Sequence, residues 1–582
     1  MGVETTRLSG WYRLGLRVQL ALASSVLVAL LAWGQSHLAG RHAAAELEQR
    51  IGAALVDTAQ NLAELLDRAM WSRSGEVRVL ASLSAFRELR VGGEVEEILA
   101  TLQEALPVYT WVGLTDRDGV LLAATGTASL AGAVEVTAID PHVSYADGQS
   151  YTILTATEPL EGTFTGASMR NHSAFLTPTL RQDSDTVTLD IAVTSDFTIA
   201  GDTANQRQTA AALNGLAQEG DALAVFNAIA GLDEVQARAA FDLASGEVHA
   251  TGGQVIEQAT GLFSGTLRGQ GAAGLGAASP GTPRGIVSRR TGETGHALLA
   301  HSGGARAWFA PLGGRGSIEG DGNAATLDWW SGGIAGSYEA PVDTAAGNAV
   351  AGIALGYLRS RGTVDARRSS LEADGLHIGV YGAWEDGPWQ LSGALAYAAS
   401  HVSTARGVVF GGIDRTARAD YWTHSLGFSG EAAYRIDLGG GTTLMPLATL
   451  DAGWSGHGGF TETGAGALNL TGASESRTRL DTGIGFGIRH VMRTETGRMV
   501  LEGRAVWEHA LGDTRSGQSL GLAGSPVGFE VLGPSARRDR LRLGAGVAWD
   551  IAPDMTLRAS YDGVFAGGER THSGAISLNI RF

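Results

Sequence analysis

The sequence contains neither cysteine nor lysine, and all 43 of its basic residues are arginine. Without cysteine no disulfide can form, and without lysine no phosphate-binding P-loop is possible. The 14 histidines are scattered rather than spaced as metal ligands, and no H-E-x-x-H motif occurs. The net charge of −17 leaves no basic stripe to neutralise phosphates. We therefore expect no metal, no cofactor and no nucleic-acid partner.

The mean hydropathy of +0.03 is too low for a membrane protein built from several helices. The most apolar stretch is Val18 to Trp33, which follows Arg7, Arg13 and Arg17. Such a basic and then apolar segment is typical of an export signal or a single membrane anchor. The run is shorter than the ~20 residues that span a bilayer comfortably. Residues 1–40 are predicted to be a signal sequence or anchor, exported across the inner membrane.

Residues 41–125 are predicted to be mainly helical and to end in a β-hairpin. Apolar residues recur at helical spacing from Leu47 to Leu66, and strands are predicted over Val108–Leu114 and Val120–Ala123. The order of membrane segment, helix and hairpin resembles the start of an extracytoplasmic Cache-type sensor domain, over about residues 10–125. The other strands of such a sensor pocket have no counterpart in the sequence, so we transfer no ligand. The alternative is a helical leader on a secreted protein.

Residues 126–200 consist of short β-runs separated by turns rich in Gly, Asp and Pro. The runs are Gly126–Val136, Tyr151–Ala156, Gly162–Phe164, Phe175–Leu180 and Thr186–Ile191. Their succession resembles the end of the β-helical passenger of bacterial autotransporters, just before the translocator domain. No repeat of fixed period occurs, and there is room for only one or two rungs. The segment is therefore predicted to be a short β-helix-like passenger end.

Residues 201–300 are predicted to form a helical junction and a Gly-rich linker. Thr203–Gln206 has the pattern of a helix cap, and a second helix is predicted over Leu232–Leu243. The phrase Phe241–Ala250 again resembles the autotransporter junction. In that family a helix near this point threads the barrel lumen, which the resemblance implies for Gln254 to Arg268. The alternative is that these helices are periplasmic connectors.

The stretch Gly269–Gly274 satisfies the pattern G-x-G-x-x-G. A dinucleotide-binding loop needs a strand before this motif and a helix after it. No strand is predicted there, and the surrounding residues are rich in Gly, Ala, Ser and Pro up to Thr294. We interpret the motif as part of a flexible linker.

The last residues of the chain alternate strictly between apolar and polar side chains. Phe582, Ile580, Leu578 and Ile576 fall on one face of a strand, with Arg581, Asn579 and Ser577 on the other. Eleven similar strands precede this one. The predicted strands are Gly304–Leu312, Leu327–Glu339, Gly347–Arg361, Glu372–Trp384, Trp389–Val402, Trp422–Asp437, Thr442–Ser455, Arg477–Met492, Arg498–Ala510, Asp539–Ile551, Met555–Ala566 and Thr571–Phe582.

An even number of alternating strands with almost no helix between them indicates a closed transmembrane β-barrel. The fold class is thus mainly β, with a 12-stranded antiparallel barrel at the C-terminus whose last strand pairs with the strand near Trp308. A soluble β-sandwich also explains the alternation. It does not explain the aromatic C-terminus or the Trp and Tyr residues near strand ends, which suit interfacial girdles. The predicted girdle residues are Trp384, Trp389, Tyr421, Trp422, Trp454, Trp507 and Trp549.

Charged residues in mid-strand must face a hydrated interior, because an arginine on the lipid face costs roughly 2–4 kcal/mol at the midplane. The residues predicted to face the lumen are Arg479, Asp481, Arg489, Glu502, Arg504, Glu508, Arg540, Arg542, Arg558 and Asp562. Three segments are predicted to be long exterior loops, Ser403–Asp420, Gly456–Ser476 and Leu511–Arg538.

Residues 301–582 resemble the autotransporter β-domain in length, strand count and terminal signature. The resemblance implies an outer-membrane translocator of type V secretion that presents or exports its short passenger. It also implies that Phe582, Ile580, Leu578 and Ile576 form the signal read by the barrel assembly machinery. The implied partners are outer-membrane lipid, this machinery and periplasmic chaperones, with a monomeric barrel. The alternative is an inner-membrane-anchored sensor or binding protein fused to a barrel relic.

No enzyme is predicted. Gly517–Gly521 spells G-x-S-x-G, but a nucleophile elbow needs a strand before the serine and a helix after it. This stretch lies in a predicted loop, and no Ser-His-Asp arrangement emerges from the order of the residues.

Overall fold

The computed structural model describes residues 93–105, 113–115, 121–124, 129–138, 143–156, 159–278, 304–494 and 497–582. The apolar run Val18–Trp33, interpreted as a signal or anchor, lies outside the described residues. The chain divides into two compact units. The first comprises residues 1–130, 154–163 and 183–186, and the second comprises residues 131–153, 164–182 and 187–582.

The first unit contains one described helix and two small strand pairs. Helix α1 spans Gly93–Ala105 and buries Val95 and Leu99. The strands Gly113–Thr115 and Leu121–Ala124 pair antiparallel as a hairpin. Ser129–Leu130 pairs parallel with Glu161–Gly162.

The second unit is dominated by a barrel of twelve antiparallel strands. The strands are β1 (Arg306–Ile318), β2 (Leu327–Val342), β3 (Asn348–Val364), β4 (Ser369–Asp386), β5 (Trp389–Phe410), β6 (Ile413–Tyr434), β7 (Thr442–His457), β8 (Glu475–Arg493), β9 (Arg498–Ala510), β10 (Asp539–Ala552), β11 (Met555–Ala566) and β12 (Glu569–Arg581). A short strand, Ile436–Gly439, also pairs with β7. The ring closes because β12 pairs with β1, with Asn579 opposite Trp308. The prediction of a closed twelve-stranded barrel is confirmed.

The two faces of each strand differ as a barrel in lipid requires. On β4, Leu376, Ile378 and Val380 are exposed on the outer surface, whereas His377 and Tyr381 between and beyond them are buried inside. Alternation places every second side chain on the same face. The outer surface is therefore apolar and the inner surface is mixed.

One predicted girdle residue and one predicted loop were wrong. Tyr421 is 8 % exposed and points inward, because its position on β6 has the opposite parity to that of its exposed neighbour Trp422. The segment Ser403–Asp420 is not a loop. It belongs to the long hairpin of β5 and β6, which turns at Gly411 and Gly412, both at positive φ.

The other two predicted loops contain a small sheet. Its four antiparallel strands are Phe460–Thr461, Leu470–Gly472, Gly517–Leu522 and Gly528–Leu532, in that order. A 3₁₀ turn, Gly466–Leu468, lies between the first two strands. The G-x-S-x-G stretch Gly517–Gly521 falls within the third strand, so its serine has no following helix.

The part of the second unit that precedes the barrel is mixed. Ala133–Val136 pairs parallel with Gly166–Met169, the arrangement of a β-helix rung. A three-stranded sheet has the order Gln149–Thr155, Thr186–Val193 and Leu176–Gln182. Helices follow after the 3₁₀ turn Phe197–Ala200.

The helices are α2 (Ala204–Asn214), α3 (Gly220–Ala230), α4 (Glu234–Ala244) and α5 (Glu247–Ala278). Thr203 and Gln206 form a capping box on α2, as the sequence indicates, and Asp233 and Gln236 form another on α4. Helix α5 extends well beyond the predicted Gln254–Arg268. It includes Gly269–Gly274, so the linker interpretation of that motif was wrong. Within the described residues, none of the helices is both long and apolar enough to cross a bilayer.

Candidate functional site

Helix α5 lies inside the barrel, against the inner faces of β3 to β6. Phe263 and Leu267 are fully buried there. A Cβ atom on Gly356 would lie 2.6 Å from the Phe263 ring, and one on Gly379 would lie 2.4 Å from Leu267. Glycine at these two strand positions therefore makes the seat for the helix.

Polar contacts fix the height and rotation of α5. Thr260 and Ser425 share a hydrogen bond of 2.7 Å between their hydroxyl groups. Arg268 forms an ion pair with Glu431 of β6. The amide of Gln270 donates to Ser577 of β12 at 2.6 Å. These bonds are buried or half-buried, so removing either partner of a bond would leave the other as a desolvated polar group.

The C-terminal part of the helix is held by a buried arginine. Arg306 of β1 donates to the backbone oxygen of Gln270 and to Glu339 of β2, both at 2.6 Å. A Cβ atom on Gly274 would lie 2.2 Å from Glu339 Oε1. The last glycine of the G-x-G-x-x-G stretch therefore allows the helix to approach this ion pair.

The other side of the helix faces a cavity of about 270 Å³. All of the residues predicted to face the lumen line this cavity except Glu508, which is buried beside it. They are joined in ion pairs. Arg489 and Arg558 pair with Glu502, Arg504 with Asp562, Arg542 with Glu508, and Arg479 and Arg540 with Asp481. Because Arg504 also contacts Glu431 at 3.3 Å, the chain of charges continues to Arg268 on the helix.

A second buried ion cluster lies where α5 begins. Arg406 of β5 and His249 of α5 both bond to Glu462, at 2.6 Å and 2.9 Å. Arg406 also donates to the backbone oxygens of Leu243 and Leu468. Burial opposes ionisation of Glu462, but Arg406 and His249 together hold its pKa at about 2. Burial lowers the pKa of His249.

This cluster sits within a continuous apolar core that joins the mouth of the barrel to the preceding segment. The core contains Phe175 and Phe197 from the β-rich part, Phe226 and Phe241 from the helices, and Phe410 from the β5–β6 hairpin. Residues of the small four-stranded sheet complete it. We call residues 131–153, 164–182 and 187–246 the cap, since they cover this mouth.

The direction of α5 follows from its end contacts. At its start, Glu247 accepts from the backbone of Ala325 and pairs with Arg367, in the β1–β2 and β3–β4 connections. At its other end, Gln270 meets Arg306 near the start of β1. The connections at the first end include the two longest, 458–474 and 511–538. Bacterial barrels have long exterior loops and short periplasmic turns. The helix therefore starts at the exterior mouth and ends at the periplasmic side.

The terminal strand presents its apolar face outward. Phe582, Ile580 and Ile576 are exposed, and Leu578 is half-buried. Between these residues, Ser577 and Asn579 are buried on the inner side. Within the described part of the chain, no group of three or more His, Asp or Glu side chains is placed to hold a metal ion.

Residues 307–562 match the family model described as the autotransporter beta-domain. They form an autotransporter β-domain. The chain is also 27% identical over 233 residues to the extracellular serine protease of Serratia marcescens, covering 40% of this chain and 22% of that protein. The chain thus spans about a fifth of the length of that relative.

Solved structures of similar fold include two autotransporter domains. The translocator domain of NalP from Neisseria meningitidis is 18% identical, covering 49% of this chain and 90% of that one, with a TM-score of 0.38. The β domain of the Bordetella autotransporter BrkA is 20% identical, covering 48% of this chain and 99% of that one, with a TM-score of 0.37.

The β-domain is an outer-membrane barrel and is not itself catalytic. The alternative of an inner-membrane sensor with a relic barrel is not favoured, since the barrel closes and its seat for α5 is complete.

Sequence reasoning missed several residues of this site. Arg268, Arg306 and Glu339 hold the helix, and Arg406 and Glu462 anchor its start. The alternating pattern of β1 and β2 places Arg306 and Glu339 on the inner face, which was a usable signal. Glu462 lies in a predicted loop, where no periodicity marks a buried position.

Proposed function

We propose that this protein is an autotransporter that delivers the cap to the cell surface and keeps it there. The observation that supports this most directly is the course of α5, which enters the lumen at the exterior mouth and leaves it at the periplasmic side. A chain threaded in this direction has its preceding residues outside. The shared apolar core favours retention over release.

Export and insertion require steps at both ends of the chain. The leader within residues 1–40 carries the chain across the inner membrane as a signal sequence. Periplasmic chaperones keep the strands unfolded, and the barrel assembly machinery reads Phe582, Ile580, Leu578 and Ile576. The outward position of this face supports that role. The barrel works as a monomer, and the whole chain has no enzymatic activity.

The ten charged residues of the predicted lumen set are proposed to keep the β8–β11 wall hydrated and to hold α5 through Glu431. Their mutual ion pairs support this role. An uncompensated charge left by removing one partner is costly in a buried site. The set is therefore expected to tolerate paired exchanges better than single ones.

Single cysteines test the orientation, because the chain has none of its own. Val235 of α4 is 72 % exposed in the cap, and Leu438 is 57 % exposed in the β6–β7 turn. A membrane-impermeant maleimide added to intact cells should label Val235→Cys and should label Leu438→Cys only after the outer membrane is permeabilised. Labelling of Leu438→Cys alone in intact cells would overturn the orientation and the proposed function.

A further inference from the structure

The outer surface of the barrel carries two arginines on either side of a tryptophan near its exterior end. Trp330 of β2 lies directly opposite Arg315 of β1 and Arg361 of β3 in the strand register. All three side chains are exposed. Neighbouring strands lie about 4.8 Å apart, so the two arginines are separated by roughly 10 Å across the tryptophan. Both guanidinium groups can reach one anion placed over the indole ring.

This trio lies at the level of the lipid headgroups. Trp330 and Tyr338 are both exposed on the outer face of β2, with Ile334 midway between them. Eight residues at about 3.4 Å each, tilted by about 45°, give a height of roughly 20 Å, close to the ~25 Å apolar band of outer-membrane barrels. Tyr338 and Trp330 therefore mark the periplasmic and exterior boundaries, where interfacial aromatics collect.

The charges level with Trp330 in the strand register leave a positive excess, since Arg315 and Arg361 face the single acid Glu372. Arg361 pairs with Glu372 at 3.4 Å, whereas Arg359, two residues nearer the midplane, pairs with Glu372 at 2.7 Å and lies opposite Asp374. Among the described residues Arg315 takes part in no ion pair. Asp328 is the nearest outward acid on β2 and lies two residues further from the membrane. A guanidinium group binds phosphate through two parallel hydrogen bonds, which suits arginine better than any other side chain to this ligand.

We propose that Arg315 and Arg361 bind a phosphate group of an outer-leaflet glycolipid, with its sugar against Trp330. The acyl chains of that lipid lie along the apolar surface of β1 to β3, where Phe309, Ile334 and Leu355 are exposed. The site rests on the proposed orientation of the barrel, and it does not depend on whether the cap stays at the cell surface.

Native mass spectrometry of the purified full chain tests this site. The protein is mixed with a diphosphorylated lipid A or with its dephosphorylated counterpart, in detergent with a chelator present. The double variant Arg315→Gln/Arg361→Gln is compared with the matched control Arg418→Gln, an exposed arginine on the outer face of β6.

The wild type and the control should retain the phosphorylated lipid, and the double variant should bind it at least about tenfold more weakly. All three should bind the dephosphorylated lipid equally weakly. Equal retention of the phosphorylated lipid by the double variant would overturn the proposal. Retention by the wild type only in samples without the chelator would overturn it as well. Heat-modifiable migration of each sample verifies that the barrel is folded. If the double variant does not fold, the single variant Arg315→Gln is tested instead. Its binding of the phosphorylated lipid should fall several-fold, and unchanged binding would contradict the site.

Discussion

Replacing Phe263 with alanine should loosen the lumen helix while leaving the barrel intact. Phe263 is fully buried and packs against Gly356 and Gly379, whose missing side chains form its seat. Its ring also lies 5.2 Å from that of His377, centroid to centroid. The glycine seat cannot close over the space that alanine leaves, because backbone hydrogen bonds on both sides hold these strands in register.

The expected loss is about 3 kcal/mol in the free energy that holds α5 in place, the lower end of the 3–5 kcal/mol found for buried Phe→Ala changes. A loss of this size raises the population of the displaced helix roughly 100-fold, at 1.4 kcal/mol for each factor of ten.

Thiol labelling measures this population directly. Gly265 lies two residues after Phe263 on the same helix, and a Cβ atom there meets no neighbour within 4 Å. Gly265→Cys supplies a single reporter in a chain without cysteine. The labelling rate with a thiol reagent too bulky for the occupied lumen should rise about 100-fold in Phe263→Ala. Thr266→Ala is the matched control, since the Thr266 hydroxyl bonds only within the helix, to Leu262.

Equal labelling rates in Phe263→Ala and the control would refute the reasoning, because the helix would then be held by its polar contacts alone. Heat-modifiable migration should be unchanged in both variants. A loss of that migration would show that the helix is needed for the barrel itself, which also contradicts a seat independent of the wall.

Two further outcomes are expected. Deleting Phe582 should strongly reduce the yield of heat-modifiable barrel in cells while the purified chain still refolds in detergent; an unchanged cellular yield would contradict an assembly role. The cap should loosen in acid, measured as protease cleavage of α2 to α4. Because the pKa of Glu462 is lowered from 4.5 to about 2, its contribution is present above pH 4.5 and is lost as the pH falls toward 2. His249, kept neutral by a lowered pKa, adds a loss that begins below about pH 6.5. Glu462→Gln should be cleaved faster at neutral pH and respond less to acid; an unchanged acid response would contradict the assignment.

The alternation of apolar and polar residues along the strands was enough to predict the barrel. Because every second side chain of a strand lies on the same face, the sequence alone shows which residues share a face. The twelve strands and the closing pair were therefore predictable without knowing any contact. The prediction failed where the environment of a strand changes along its length. The β5–β6 hairpin leaves the membrane and continues as strand, and its small or polar residues, such as Ser403 and Ala405, were interpreted as a loop.

The end of α5 was harder to predict, because the intrinsic helix propensity of its C-terminal residues is low while their packing in the lumen favours a helix. Gly269, Gly271 and Gly274 lower the intrinsic helix propensity by about 1 kcal/mol each relative to alanine, so the segment has the composition of a linker. In the lumen Gly271 and Gly274 permit close approach to the barrel wall. A Cβ atom on Gly271 would lie 3.0 Å from Tyr381. The tertiary environment therefore extends a helix that local preference would end.

The glycine seat also restricts what can pass through the bore. One helix, about 10–12 Å across with its side chains, fills it apart from a hydrated strip on one wall. The cap has three helices and a sheet around a single core, which no such bore could admit in folded form. If those residues travel by this route, they do so unfolded, and the burial of Phe175, Phe197 and Phe226 occurs only after exit. That burial then opposes any return, so the direction of transport is stabilised by the cap without an external energy source.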